Sequence, residues 1–216
     1  MASEIRSAIE ELSSAAEKGG VKPEAKKDGG DLQTTIQIPI KPFLSLCNIL
    51  IQGQQWLCLR QDINQNIQRL ELIHDSDPLI YWDVVEILKK ETSEGKAKKG
   101  PTCSKAFVWL TRSLDFSVAL LKLLVEDFEK NMEQAVEESY IITLKPWHGW
   151  ISSAAYKVAL KLVPDTKCLI DILKAKDGDY DMLKKEMQTL ISLLVPVLKR
   201  NYDTMRTYGL DKLKST

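Results

Sequence analysis

Residues 61–70 read QDINQNIQRL, and their apolar side chains recur at the spacing of an amphipathic helix. Ile63, Ile67 and Leu70 stand at positions i, i+4 and i+7, which places them on one helical face. Such a stripe predicts a helix that packs on a hydrophobic core and turns its other side to solvent. Helix is predicted almost throughout the chain, without strand alternation or a fixed repeat, so the predicted fold class is all-α.

A polar row lies beside this apolar stripe. Asp62, Asn66 and Arg69 have the same i, i+4, i+7 spacing, so on a helix their side chains point within roughly 60° of one another. A carboxylate, an amide and a guanidinium together can satisfy the donors and acceptors of a hydroxyl-rich ligand. The alternative interpretation is a solvated helix face that carries a salt bridge.

The run KPWHGW at 145–150 holds one of the two histidines between two of the five tryptophans. The proline two residues before His148 suits the first turn of a helix. On that predicted helix, Ser152, Ala155 and Ala159 share the face of His148, and their small size leaves room for a bulky group. The alternative is an ordinary core histidine.

Prolines, glycines and capping residues predict where the helices begin and end. Asp77 and Pro78 have the residue types of an N-cap and a first helical position, and Asp165 that of another N-cap. Pro196 falls inside the last helix and predicts a kink. The predicted helices span 42–53, 57–73, 78–95, 101–124, 132–144, 147–163, 166–174 and 180–208.

Composition and motifs argue against an enzyme, a metal site or nucleic-acid binding. Thirty basic and 30 acidic side chains give a formal net charge of zero, which provides no general attraction to nucleic acid. The run GKAKKGPT at 95–102 superficially resembles a phosphate loop, but Pro101 stands where that motif needs lysine. Two histidines without ligand partners at suitable spacing predict no zinc site, and no catalytic motif is recognisable. We therefore expect no cofactor and no metal.

The ends of the chain and its cysteines predict a cytoplasmic protein. The N-terminus lacks an apolar signal-peptide core, and no stretch approaches the length of a membrane span. Four scattered cysteines without a CxxC pair fit reduced thiols. Residues 1–35 are predicted to be an N-terminal extension, with a short helix over 3–17 and a flexible Lys/Gly-rich linker. Residues 36–216 are predicted to form the single folded domain.

Together with Trp109 in AFVWLTR (106–112), these motifs resemble the glycolipid transfer protein family, and its plant members in particular. Asp-x-x-x-Asn, Trp-Leu-x-Arg and His-Gly-Trp occur in the family's order, and the resemblance covers residues 36–213. It implies a two-layer all-α sandwich of about eight helices that encloses a lipid-chain cavity. It also implies that the chain moves sphingolipids between membranes without chemistry, so we predict that it is not an enzyme.

The resemblance further implies roles for the polar residues. Asp62 would accept hydrogen bonds from the ceramide amide N–H and from sugar hydroxyls, while Asn66 and Arg69 would bond the sugar. Trp109 would stack on the sugar ring, and His148 would donate to the ceramide amide oxygen. The alternative for the tryptophan is plain core packing.

Other positions are implied to contact the lipid chains or the membrane. Leu144, Tyr156 and Leu160 are expected to line the cavity, although the family commonly has phenylalanine where Tyr156 stands. Trp150 is expected to dock on the membrane. Between Phe43 and the polar row the chain is roughly six residues shorter than its relatives, equivalent to about 9 Å of helix. This difference predicts a shortened connection between the first two helices or an altered cavity wall.

The residue types at two positions predict the headgroup. The ceramide-phosphate branch typically has lysine where Asn66 stands and arginine where Trp109 stands, so this chain resembles the sugar-binding branch at both. The predicted function is transfer of simple glycosphingolipids such as glucosylceramide. The alternatives are ceramide-1-phosphate transfer, a ceramide-lipid sensor or adaptor without net transfer, and a helical scaffold without a ligand. The expected partners are a sphingolipid and, transiently, a membrane surface, with no nucleic acid, and the protein is expected to be monomeric.

Overall fold

The computed structural model describes residues 5, 6, 9, 10, 13, 37–52, 60–174 and 179–215. From residue 37 onward the described chain forms eight α-helices and one short 3-10 turn, and its only strand-like feature is an isolated bridge between Pro39 and Asp83. The all-α prediction is confirmed. The helices are α1 (Ile40–Gln52), α2 (Arg60–Ser76), α3 (Val84–Ser93), α4 (Cys103–Glu126), α5 (Met132–Thr143), α6 (Trp150–Leu160), α7 (Thr166–Leu173) and α8 (Tyr180–Thr207).

Helix α4 is the central element of the fold. It packs against α2, α5 and α8, and α1 and α3 also contact it. Its side chains are buried around most of its circumference, as expected of a helix surrounded by other helices. Thr102 caps its first turn by accepting from the backbone N–H of Lys105 at 3.2 Å. The apolar stripe of α2 is buried as predicted, so the polar row of α2 stands at the edge of this core.

The later helix boundaries agree with the sequence signals. Helices α5, α7 and α8 begin at the predicted residues and end within one residue of the predicted positions. Asp165 caps α7, as predicted, by accepting from the backbone N–H of Cys168 at 2.7 Å. Helix α8 continues through Pro196 and ends before Gly209, whose φ of 63° terminates the helix.

The predicted start of the third helix at Asp77 and Pro78 is wrong. Asp77 caps only one turn, accepting from the backbone N–H groups of Leu79 and Ile80 at 3.2 Å each. The helix begins after Asp83, whose buried carboxylate accepts from Val85 N at 2.9 Å and from the distant Ile38 N at 2.8 Å. Asp83 therefore joins two chain segments as well as capping a helix, a tertiary role that local sequence does not reveal.

The predicted continuous helix over 147–163 is also wrong. A 3-10 turn covers Lys145–Trp147, and α6 starts only at Trp150, with Gly149 as its N-cap. Glycine is a poor helix former, and Gly149 has the extended backbone of an N-cap, so the turn does not propagate into the next helix. His148 thus lies in the connection, outside the helix on which it would have shared a face with Ser152.

Parts of the N-terminal region contact the domain. Ile5 is buried in the core, and Arg6 Nε donates to Glu186 Oε1 of α8 at 2.9 Å. The predicted flexible linker and the shortened connection around 53–59 lie outside the described residues. Among the described residues, no helix is both long and apolar enough to cross a bilayer.

Candidate functional site

The polar row on α2 is present as the spacing predicts. Asp62 is exposed, whereas Asn66 and Arg69 are half-buried. Arg69 Nη1 donates to Asn66 Oδ1 at 2.9 Å, which orients the amide and leaves its nitrogen to donate outward. In the described part of the chain the Asp62 carboxylate has neither an ion pair nor a hydrogen bond. The salt-bridged helix face that sequence left open is therefore not formed at Asp62.

Trp109 reaches the same region from α4. The indole is half-buried, and its ring centroid lies 5.5 Å from that of His148 with the planes tilted by 40°. Helices α2 and α4 pack on each other, and the charge of Asp62 is close enough to influence the pKa of His148. The structure thus brings the polar row, Trp109 and His148 into one region.

His148 is held by the turn that precedes it and by a tyrosine. Its backbone N–H donates to Leu144 O at 3.2 Å and to Lys145 O at 3.3 Å. Its ring Nδ1 lies 3.2 Å from the Tyr140 hydroxyl, which is also 3.4 Å from Ser153 Oγ. The Tyr140 hydroxyl has one proton to share between these two partners. When the Ser153 hydroxyl donates to Tyr140, Tyr140 can donate to Nδ1, and the imidazole proton then lies on Nε2, where it can be donated to another group.

A buried arginine fixes the loop that contains His148. Arg112 is fully buried, and its Cζ lies 5.0 Å from the Trp109 ring and 4.1 Å from the Trp147 ring. Its guanidinium donates to Leu213 O at 2.7 Å and to Asp211 O at 3.0 Å. Burial lowers the pKa of Arg112 to about 10, so the group remains charged at neutral pH. The charged guanidinium therefore binds backbone carbonyls of the C-terminal segment.

The C-terminal segment in turn holds the His-Gly-Trp connection. The backbone N–H of Ser215 donates to Trp147 O at 2.9 Å, and Ser215 Oγ accepts from the backbone N–H of Gly149 at 2.8 Å. Both neighbours of His148 are therefore bonded to one residue near the end of the chain. This contact separates residues by more than 60 positions, so local sequence does not indicate it.

The expected chain-contacting residues lie on the inner side of the site. Leu144 and Tyr156 are buried in the hydrophobic core, and Leu160 packs against it half-buried. The rings of Tyr140 and Tyr156 stack with centroids 3.4 Å apart and planes within 7°. Trp150, by contrast, is 80% exposed at the first position of α6. Along the chain, the His148 connection therefore runs from the buried Leu144 to the exposed Trp150.

Comparison with known proteins identifies the family of this chain. The model of the glycolipid transfer protein (GLTP) family matches residues 38–175. The chain belongs to this family. Glycolipid transfer protein 3 of Arabidopsis thaliana is 49% identical, with 98% of this chain and 92% of that protein covered. Glycolipid transfer protein 2 of the same plant is 46% identical, with 98% and 93% covered. The resemblance to the family and to its plant members is confirmed.

Solved structures confirm the fold. One of them is the GLTP-fold structure of FAPP2, a protein that selects simple glycosphingolipids. It superposes on this chain with a TM-score of 0.72 at 22% identity, and the match covers 86% of this chain and 93% of that one. A mutant of Arabidopsis ACD11 complexed with C12 ceramide-1-phosphate gives 0.78 at 15% identity, covering 97% of each chain. The first protein selects simple glycosphingolipids and the second is bound to ceramide-1-phosphate, so the shared GLTP fold does not by itself select a headgroup. Members of the GLTP family are lipid-transfer proteins, not enzymes.

Sequence reasoning missed two residues of this GLTP site. Tyr140 contacts His148, and its place on the buried face of α5 follows from helical periodicity, but its partner does not. Arg112 ends the AFVWLTR motif, one turn after Trp109, but the sequence does not indicate its partners. The structure places it against two indoles and bonds it to the C-terminal segment. In the described residues no group of three or more metal-ligating side chains is present.

The protonation of His148 should appear in the pH dependence of stability. Burial, followed by the charge of Arg112, lowers the pKa of His148 below its ordinary value of 6.5, although Asp62 partly opposes the shift. Below pH 6.5 the unfolded chain binds a proton before the folded chain does, so stability falls as the pH drops through the lowered pKa. We expect thermal unfolding to show a smaller acid-induced loss for His148→Asn than for the wild type. Equal losses in both proteins would contradict a depressed pKa.

Proposed function

We propose that this GLTP family member binds simple glycosphingolipids, such as glucosylceramide, and transfers them between membranes. The observation that carries the proposal is the convergence of an unpaired carboxylate, a hydrogen-bonding amide and an indole beside a neutral histidine. The same region borders a buried apolar core. Such a combination suits a ligand with a hydroxyl-rich head, an amide and hydrocarbon chains.

The free-energy cost of exposing hydrocarbon chains to water explains why a carrier is needed. At about 0.8 kcal/mol per methylene, moving a sixteen-carbon acyl chain from a bilayer into water costs about 13 kcal/mol. The carrier must therefore offer the chains an apolar environment, for which we propose Leu144, Tyr156 and Leu160 as lining residues. Chain burial is non-directional, so discrimination between headgroups falls to the polar row and Trp109.

The ceramide amide has two hydrogen-bonding groups, and we assign one protein partner to each. Asp62 would accept from the amide N–H, since its carboxylate is exposed and has no partner in the described protein. His148 would donate from Nε2 to the amide oxygen, because Nδ1 faces Tyr140. A depressed pKa supports this role by keeping the ring neutral, with one nitrogen donating and the other accepting.

Asp62 and His148 together form the proposed amide clamp. Three side chains around this clamp would hold the sugar. Asn66 would donate from the nitrogen that Arg69 leaves available, and Arg69 would donate from its remaining N–H groups. Trp109 would stack on the sugar, whose C–H face matches the apolar face of an indole. Contact with His148 and Arg112 restrains the indole, so little side-chain entropy is lost on binding.

A transfer assay with two membrane populations tests the proposal. Donor vesicles carry fluorescent glucosylceramide, and acceptor vesicles report its arrival after the protein is added. Transfer that scales with protein concentration supports a carrier, whereas tight binding without transfer supports the sensor or adaptor alternative. Absence of any sphingolipid in lipid extracts of the purified protein, measured by mass spectrometry, would favour a scaffold without ligand.

Membrane docking through Trp150 yields a separate prediction. Burial of a large aromatic side chain is worth about 1.5–3 kcal/mol, so Trp150→Ala should weaken vesicle binding about ten- to hundredfold. Circular dichroism should hardly change, since the indole is 80% exposed. Trp82→Ala is the matched control, because that indole is 41% exposed in the connection before α3. Equal vesicle binding by wild type and Trp150→Ala would contradict this docking role.

We also propose that the protein works as a monomer in the cytoplasm and touches membranes only transiently. The exposed apolar surface around Trp150 includes Ile151, which adds to the area that a bilayer interface could bury. A formal net charge of zero leaves aromatic contact as the main attraction in this proposal. Vesicle binding is therefore expected to depend only weakly on salt.

A further inference from the structure

The Tyr156 hydroxyl is a buried polar group that the proposed headgroup contacts do not use. The side chain is 5% exposed, and its oxygen has no hydrogen-bond partner among the described residues. Buried hydroxyl groups in native proteins almost always have a partner, because leaving one unpaired costs free energy. A hydroxyl of this kind beside an expected ligand site points to a polar group supplied by the ligand.

The surroundings of Tyr156 connect it to the amide clamp. Its ring stacks on Tyr140 with centroids 3.4 Å apart, and the Tyr140 hydroxyl is 3.2 Å from His148 Nδ1. Tyr156 is therefore one aromatic layer away from the residue that would bind the ceramide amide. Leu160 follows Tyr156 by one helical turn and packs on the core, so this part of α6 faces the hydrophobic interior.

The hydroxyl is neutral and can both donate and accept. Burial raises the pKa of Tyr156, and Glu137, Tyr140 and Glu133 raise it further in that order, so the phenol keeps its proton at physiological pH. An unsubstituted hydrocarbon chain offers it no hydrogen bond. A hydroxyl on the ligand's hydrocarbon part, close to the amide, would accept or donate one.

We propose that Tyr156 is a specificity residue that favours sphingolipids with an additional hydroxyl on a hydrocarbon chain near the amide. The hydroxyl could be carried by the acyl chain at its second carbon or by the long-chain base at its fourth. The inference rests on the proposed function, because it concerns the hydrocarbon part of the same lipid. It adds a discrimination that the polar row and Trp109 do not provide.

Three glucosylceramides of equal chain length test the inference. One has no additional hydroxyl, one has a 2-hydroxyacyl chain, and one has a 4-hydroxylated base. We expect the wild type to bind one of the hydroxylated lipids about three- to tenfold more tightly than the plain lipid, the range for one neutral hydrogen bond. A preference for the 2-hydroxyacyl lipid assigns the acyl chain to Tyr156, and a preference for the other assigns the base.

Tyr156→Phe removes the hydroxyl and keeps the stacked ring. This variant should lose most of the preference, bind the plain lipid at least as tightly, and unfold at the same or a higher temperature, since an unpaired group has been removed. Tyr180→Phe, which removes an exposed tyrosine hydroxyl, should leave the preference intact. Equal binding of all three lipids by the wild type, or a preference that survives in Tyr156→Phe, would overturn the inference alone. Failure to bind any glucosylceramide would overturn the proposed function with it.

Discussion

Replacing Asp62 with valine should lower glucosylceramide transfer about ten- to hundredfold while the fold remains intact. The substitution leaves the ceramide amide N–H without its acceptor, and an unsatisfied buried group costs roughly 1–3 kcal/mol. The fold should tolerate the change because the carboxylate is exposed and makes no hydrogen bond or ion pair with described residues. Aspartate and valine have similar helix propensities, and loss of a negative charge from the first turn of a helix costs about 0.3–1 kcal/mol, so the melting temperature should fall by about 4 °C or less.

Gln68→Val is the matched control for this experiment. Gln68 is exposed on the same helix, away from the polar row, so the variant introduces the same valine without touching the proposed site. Both variants should melt at similar temperatures, and only Asp62→Val should lose transfer. Normal transfer by Asp62→Val would remove this residue from the amide clamp. A large drop in its melting temperature would show a structural role instead.

Short-range patterns predicted most of the scaffold. Helical periodicity located the stripe and the polar row of α2 because each depends on residues three or four positions apart. Caps such as Asp165 were predictable for the same reason, since the side chain bonds its own first turn. These features are confirmed because little outside the segment competes with them.

The errors arose where distant residues decide the local structure. Asp77 has the residue type of a cap, but Asp83 gains a second bond to Ile38 across the bridge and becomes the helix start. The His148 connection is likewise bonded to Ser215, so the turn after Pro146 ends in an anchored loop. Tertiary hydrogen bonds outweighed local propensity in both cases.

The family resemblance and the helical spacing predicted which residues belong to the site. How these residues are arranged follows only from the folded structure. Sequence placed Trp109 and His148 in separate segments, and only packing brings their rings to 5.5 Å. The resemblance could not indicate the protonation of His148, because its pKa depends first on burial and then on Arg112. The hydroxyl of Tyr156 is visible in the sequence, but its lack of a partner appears only in three dimensions.

A competition between lipids should show that the wild type moves glucosylceramide about tenfold faster than ceramide-1-phosphate, a difference of about 1.4 kcal/mol. A phosphate beside the Asp62 carboxylate is repelled unless cations outnumber it. Arg69 is available, but Arg112 is fully buried and bonded to Leu213 and Asp211. Trp109 offers a flat apolar face and one N–H, which suits a sugar better than a dianion.

Two residues differ between the sugar-binding and the ceramide-phosphate-binding branches of the family, and exchanging them should shift this preference. Asn66→Lys combined with Trp109→Arg adds two positive charges beside Asp62 and removes the stacking surface, so the transfer ratio should move toward ceramide-1-phosphate. Asn66→Gln combined with Trp109→Leu is the neutral control, which should lose sugar-lipid transfer without gaining phosphate-lipid transfer. Measuring both lipids in one preparation cancels any difference in the folded fraction, because both rates scale with active protein. A wild type that prefers ceramide-1-phosphate, or a charged variant whose ratio equals that of the neutral control, would show that these two residues do not determine the headgroup.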